Sequence, residues 1–205
     1  MSGIVLPVAP EVALDTDLER AAAAWIRPYD QAWHLMRARD WLVHIAPDAS
    51  LEMRLAAMVH DIERMFPGSP KMNMATQAWD DPYYLFAHSL RSAESVSVWL
   101  TGQGEAAAGV DEYEVRRLVA LHELGGLRGA DEVQAGDSLS FLETLAELTR
   151  NWVRSGVCSK TKGAEKLQYM ADRIRIPAAM KPAAELLEAA LEGLDQIKEE
   201  EVTRS

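Results

Sequence analysis

The chain has 205 residues, 48% of them apolar and 26% charged, with a formal net charge of −11, which gives material for one substantial core in a single domain and excludes wholesale disorder. The acidic balance argues against nucleic-acid and membrane-surface binders, which carry a basic excess, although a small anionic partner needs only a local gathering of positive charge. Cys158 is the one cysteine, so a disulfide scaffold is excluded and a cytoplasmic setting is expected.

The residues up to Leu14 lack a basic n-region, carry Pro7 and Pro10, and read as an N-terminal arm rather than a signal peptide. A first helix, capped by Asp15 or Asp17, runs to Ile26 before Pro28, and a second covers about residues 30–45, with Trp33, Met36 and Trp41 at helical spacing. Asp48 or Ser50 caps a third, residues 51–65, whose Leu55, Met58, Val59 and Ile62 share a stripe closed by Pro67 and Gly68. Pro70, Asn73, Asp80, Asp81 and Pro82 break any period and predict a long loop over 68–82, of the kind that borders active sites; its Trp79 is placed to pack on a ligand. Helices follow at about 84–100, 112–124, 131–152 with Asp131 as N-cap, 161–174 and 178–200. The last is amphipathic, with Leu187, Leu191 and Leu194 on one face, and serves either a homodimer contact or the monomer core. No alternation long enough for a sheet and no repeat occurs, so the fold class is all-α, a single-domain bundle of about eight helices. No stretch approaches the roughly 20 apolar residues of a membrane span.

Four of the five histidines fall on different predicted helices: His34, His60 beside Asp61, His88, and His122, with Asp137 on the next helix. Imidazole and carboxylate suit Mn, Fe, Co, Ni and Zn, and helical folds assemble such sites from facing helices. His60 and Asp61 point about 100° apart on a helix and reach one ion only if it lies over the groove between them. The pair follows the apolar run from Leu55 to Val59, where burying a carboxylate is costly unless ligation removes the cost. His44 fits no part of the pattern and belongs on the surface near a helix end.

The order His34, His60-Asp61, His88, His122, Asp137 resembles the HD superfamily of metal-dependent phosphohydrolases, in particular its members with two additional histidines. The stretch around Asp137, from Ala130 to Leu139, also looks like that family's final aspartate helix, and the likeness covers about residues 30–150 of an HD-like domain over 15–205, leaving helices at 159–200 as additions. It implies that His34, His60, Asp61 and Asp137 bind a first ion and that Asp61 bridges to a second held by His88 and His122. The ions would be Fe or Mn by preference, with Co, Ni, Zn or Mg as alternatives. Two such ions clamp a phosphoryl oxygen and lower the pKa of a water, so the implied activity is hydrolysis of a small phosphomonoester or nucleotide. The family's cyclic-dinucleotide branch carries a Gly-Tyr-Pro motif that is absent here. The same ligand order resembles the family's diiron oxygenases of phosphonates or polyols, and a non-catalytic nucleotide-binding module is the third alternative.

Glu63, three residues after His60, is expected on nearly the same face, to orient or deprotonate the water, with an arginine ion pair as the alternative. Arg64 reads as surface cover, with a phosphate contact as the alternative. In so acidic a chain the segment 150–175 is locally basic: Lys162, Lys166, Tyr169 and Arg173 line one helical face, and with Ser159 and Lys160 they are the candidate residues for holding the substrate anion, a solvated face being the plainer reading. The other tryptophans are core candidates, and Cys158 has no base beside it and no catalytic role.

Overall fold

The computed structural model describes residues 6–198, and among them there are nine α-helices and no strand. Thr16, between the two aspartates expected to cap, opens α1 (Asp17–Ile26): its hydroxyl accepts from Glu19 N while the Glu19 carboxylate accepts from Thr16 N, a reciprocal capping box. Then come α2 (Ala32–Ile45), α3 (Leu51–Val59) capped by Ser50, α4 (Pro82–Gly102) capped by Asp81, and α5 (Glu112–Leu121) capped by Asp111. The chain closes with α6 (Ala130–Thr144), α7 (Ala146–Arg154), α8 (Lys160–Asp172) and α9 (Pro177–Asp195). The last helix was expected to reach Glu200; it ends at Asp195, and residues 199 and 200 lie outside the described ones.

Two expected helices end or break early, and both departures shape the site. The third stops at Val59, and Asp61 takes φ −101, ψ 10 before a 3-10 turn over Ile62–Met65, a conformation in which functional residues are often found. The long sixth splits at Leu145, with φ −111, ψ 4. Leu145 N donates to Phe141 O as the last bond of α6 and Thr149 N to Leu145 O as the first of α7, so one residue serves both ladders at the bend, with no glycine or proline to mark it. Asp131 is no cap: Gly129 occupies that position, and Asp131 Oδ1 accepts from Gly126 N at 2.6 Å and Arg175 Nη1 at 2.9 Å, fixing the preceding loop instead.

One apolar cluster joins α1 to α5 and the start of α6 through Leu18, Leu35, Leu55, Val96, Leu118 and Val133; a second joins α2 and α6 to α9 through Trp41, Leu139, Leu142, Leu167, Met170 and Leu186. The apolar face of α9, with Ala183, Leu186, Ala190 and Leu194, is spent in the second cluster, so it finishes the monomer core. Buried charge pins the arm: Arg39 pairs with Glu19 and donates to the carbonyls of Val12 and Ala13, and Arg37 pairs with Asp40 and donates to Ala9 O. None of the described helices is long and apolar enough to cross a membrane.

Helices α2 and α6 carry His34 and Asp137 and approach closely at Gly136, where a Cβ would stand 2.6 Å from Ala38 O and 3.2 Å from Leu42 Cβ. Only backbone and a packed side chain are there to yield. Gly136→Ala is expected to cost about 1–3 kcal/mol through overpacking, lowering the melting temperature by roughly 2–12 °C in a domain this size; a thermal melt followed by circular dichroism checks it.

Candidate metal centre

Each of the four site histidines is fixed through Nδ1 and turns Nε2 inward. His60 and His122 use the same device: each caps the C-terminus of its helix, α3 or α5, and its Nδ1–H donates back to the carbonyl three residues earlier, Ala57 O at 3.0 Å and Val119 O at 2.7 Å. Carbonyls in the last turn of a helix lack i+4 partners, so the bond both helps satisfy the helix end and aims the ring; Val119 O also accepts from His122 N at 3.4 Å. His34, in the first turn of α2, donates from Nδ1 to Ser140 Oγ at 2.8 Å, and the Ser140 hydroxyl donates to His34 O at 2.7 Å. His88, on α4, donates from Nδ1 to Glu63 Oε1 at 2.8 Å.

With the proton on Nδ1, each neutral ring presents a lone pair at Nε2, and these lone pairs face carboxylate oxygens. Asp137 Oδ1 is 3.2 Å from His34 Nε2 and 3.3 Å from His60 Nε2. Asp61 Oδ1 is 2.8 Å from His88 Nε2, 3.8 Å from that of His122 and 3.9 Å from that of His60. Acceptor thus meets acceptor, and Nε2 of both His60 and His122 is buried without a hydrogen-bond partner. Such an arrangement is costly unless positive charge sits between the groups.

The second oxygens are held by arginines. Asp61 Oδ2 accepts from Arg64 Nε at 2.8 Å, and Asp137 Oδ2 accepts from Arg173 Nη2. Glu123 repeats the pattern: Oε2 accepts from Arg173 Nη1, while Oε1 lies 3.8 Å from His122 Nε2 and 3.9 Å from His88 Nε2. Burial opposes ionisation of all three, but Arg64 and His88 hold Asp61, and Arg173 and His60 hold Asp137, well below the usual carboxylate range; Glu123, beside Arg173, falls to about 2. Burial likewise opposes protonation of His60, yet Asp137 and Asp61 lift it to about 9. His122 is pushed down to about 4 by burial, with His60 and His88 adding repulsion. Without other cations, protons on imidazole are the charge available between the groups.

No known family model, curated protein or solved structure matches the chain. The site therefore stands on its donors. Among the described residues, three groups converge closely enough to hold an ion, His34 with His60 and Asp137, His60 with Asp61 and His122, and His88 with His122 and Glu123. They share His60 and His122, forming one continuous buried array whose donor types suit a first-row divalent metal. Nδ1 anchoring by carbonyl, hydroxyl or carboxylate is how metal-binding imidazoles are oriented.

All six expected ligands come together, and Glu123 joins them unannounced, although its place after His122 mirrors Asp61 after His60. Glu63 does not take the water-facing position but the alternative of an arginine ion pair, with Oε2 3.7 Å from Arg91 Nε: fully buried on the far side of His88, it also holds that ring rather than facing the cluster of Nε2 atoms. Arg64, read as surface cover, keeps 32% of its side chain exposed yet binds Asp61, donates to Tyr84 Oη at 2.8 Å and lies 3.4 Å from His88 Nε2. Of the basic stripe, Lys160 is remote and donates to Asp195 O at 2.8 Å, Ser159 caps α8, and Lys162 pairs with Glu165 at 3.1 Å above the Trp79 ring. Arg173 is committed to Asp137, Glu123 and Ser138. Lys166 alone of the stripe lines the adjoining cavity without an ion pair among the described residues, its ammonium about 5 Å from the ring centres of Phe141 and Tyr169. Burial lowers it to about 8, and the same cause raises the Tyr169 phenol. His44 is exposed in the last turn of α2, as expected.

Proposed function

We propose that the protein is a two-metal phosphohydrolase of the HD type, acting on a small phosphomonoester. The observation that carries this reading is the set of four Nδ1-anchored imidazoles whose Nε2 lone pairs face Asp61 and Asp137. His34, His60, Asp61 and Asp137 would hold one ion, and Asp61, His88 and His122 the other, with Glu123 a further donor. Their order along the chain is the order that resembles the HD superfamily. Divalent ions held there polarise a phosphoryl oxygen and lower the pKa of a nearby water.

The chain's own groups supply the rest. Glu63 keeps His88 in the tautomer that presents Nε2. Arg64, at the rim with unused exposure, and Lys166, without an ion pair, flank the array and suit an anionic phosphoryl group. A cavity of about 360 Å³ opens onto His34, Asp61, Glu123 and Asp137, so a substrate can reach the ligands.

The test is phosphate release from a panel of phosphomonoesters and nucleotides by protein loaded with Mn, Fe, Co or Ni. Turnover is expected with at least one ester, and Lys166→Met is expected to raise KM roughly ten- to a hundredfold, the worth of a charge-assisted hydrogen bond. Silence across the panel by fully loaded protein overturns the reading. Oxygen uptake by the iron form without phosphate release transfers it to the oxygenase class, and tight nucleotide binding without turnover transfers it to a binding module.

A further inference from the structure

The cavity beside the ligands changes character along its length. Asp137, Phe141, Leu145, Leu148 and Trp152 recur every three or four residues along α6 and α7, and all five line it. From Asp137 to Leu145 is eight residues of near-continuous helix, about 12 Å of rise. Beyond Asp137 this wall carries no charged side chain. The facing loop contributes Ser69, Lys71, Met72 and Met74 together with Trp79, whose ring lies 6.3 Å from that of Trp152, nearly parallel at 18°, and whose Nε1–H is used by Lys162 O at 3.0 Å. Lys166 reaches in from α8, with its ammonium over the rings of Phe141 and Trp79, and Lys162 covers the Trp79 ring as well.

Resting on the reading of this site as a phosphohydrolase, we propose that its substrate is an alkyl or aryl phosphomonoester. The phosphoryl group meets Lys166, Arg64 and the metal ligands, and the apolar substituent lies along Phe141, Leu145 and Leu148 towards the Trp79–Trp152 pair. A cavity of about 150 Å³ holds a six-carbon ring; at about 360 Å³ this one has room for a phosphoryl group and a substituent of similar size. The hydroxyls of a polyol or nucleotide ribose, set against Phe141, Leu145 and Leu148, would lose water and find no partner on those side chains, which is unfavourable; the polar lining residues Gln31, Ser69 and Lys71 belong to other elements. Burying methylenes on that wall is favourable by up to about fourfold in affinity for each one.

The experiment measures binding of straight-chain alkylphosphonates, from methyl to octyl, to metal-loaded protein through the fluorescence of Trp79 and Trp152, with 3-hydroxypropylphosphonate as a polar match for butylphosphonate. Affinity is expected to climb with each methylene to about the hexyl chain and then level off, with the hydroxylated probe at least roughly tenfold weaker than butylphosphonate. Leu148→Trp, which shortens the apolar end, is expected to move the levelling-off to a shorter chain. The wild-type series decides the matter even if that variant fails to fold. Equal affinity for all chain lengths, or preference for the hydroxylated probe, overturns the apolar assignment while phosphate release from polar esters leaves the hydrolase reading standing. No binding together with no phosphate release from any ester removes both.

Discussion

Saturating Mn or Fe is expected to raise the melting temperature of the protein by about 8–16 °C, and EDTA is expected to reverse the rise. A ligand that binds only the folded chain at a thousand times its dissociation constant stabilises it by about 4.1 kcal/mol, and in a domain of this size each kcal/mol moves the midpoint by roughly 2–4 °C. The structural reason is the array of facing acceptors, two of whose imidazole nitrogens are buried without a hydrogen-bond partner. His60 faces both carboxylates, so His60→Ala is expected to remove most of the rise and all turnover.

The pH dependence has a definite sign. Protonated His60, with its pKa lifted to about 9 from an ordinary value near 6.5, stabilises the metal-free fold fully below about pH 6.5, and this contribution is lost as the pH rises through about 9. An ion must displace that proton from Nε2, so metal affinity is expected to increase between about pH 6.5 and 9, by up to about tenfold per unit for one proton. His88, also raised by Asp61 against the opposing effects of burial and Arg64, adds in the same direction, whereas His122, at about 4, carries no proton to displace in this window. Calorimetric titrations in buffers of different ionisation enthalpy would count the protons released. Metal affinity independent of pH across this window would contradict the proposed exchange of proton for metal.

The candidate ligands were legible because each is a residue type that rarely stands in an apolar helix without reason, and their spacing put one on each of several helices. Helix positions were legible from Pro, Gly and cap residues, as at Ser50, whereas Asp81, read only as a residue of the long loop, caps a helix that starts two residues earlier than expected. Tertiary direction was not legible. Lys162, Lys166, Tyr169 and Arg173 do share one side of α8, beside its buried Gly163, Leu167 and Met170, yet period alone cannot say that Arg173 reaches two carboxylates while Lys162 reaches Glu165. The placement of Glu63 failed for a related reason. Its expected face assumed that α3 continues, and the turn at Asp61 swings it behind His88. The bend at Leu145 leaves no trace in composition because no glycine or proline makes it: Leu145 itself closes the ladder of α6 and opens that of α7.

Arg173→Met is expected to destabilise the metal-free protein by about 3–5 kcal/mol, the usual cost of removing one partner from a buried ion pair, or roughly 6–20 °C in the melt. The guanidinium is 94% buried, being 6% exposed, and serves three acceptors, Asp137 Oδ2, Glu123 Oε2 and Ser138 Oγ. Without it, two buried carboxylates keep their charge and lose their counter-ion. In the native protein both carboxylates lie below their ordinary values, so their ion-pair stabilisation is present above about pH 4 and fades as the pH falls towards about 2 for Glu123. The variant loses that stabilisation, its carboxylates titrate higher, and its deficit against wild type is expected to narrow as the pH is lowered from 8 to 5. Saturating divalent metal is expected to narrow the deficit as well, because an ion between the carboxylates and imidazoles supplies part of the missing positive charge. Arg173→Lys keeps the charge but not the two-pronged geometry and belongs between the two. These three readouts separate positioning from substrate contact: an arginine whose task is to hold substrate would, when replaced, raise KM and leave the melting temperature and its metal dependence where they were.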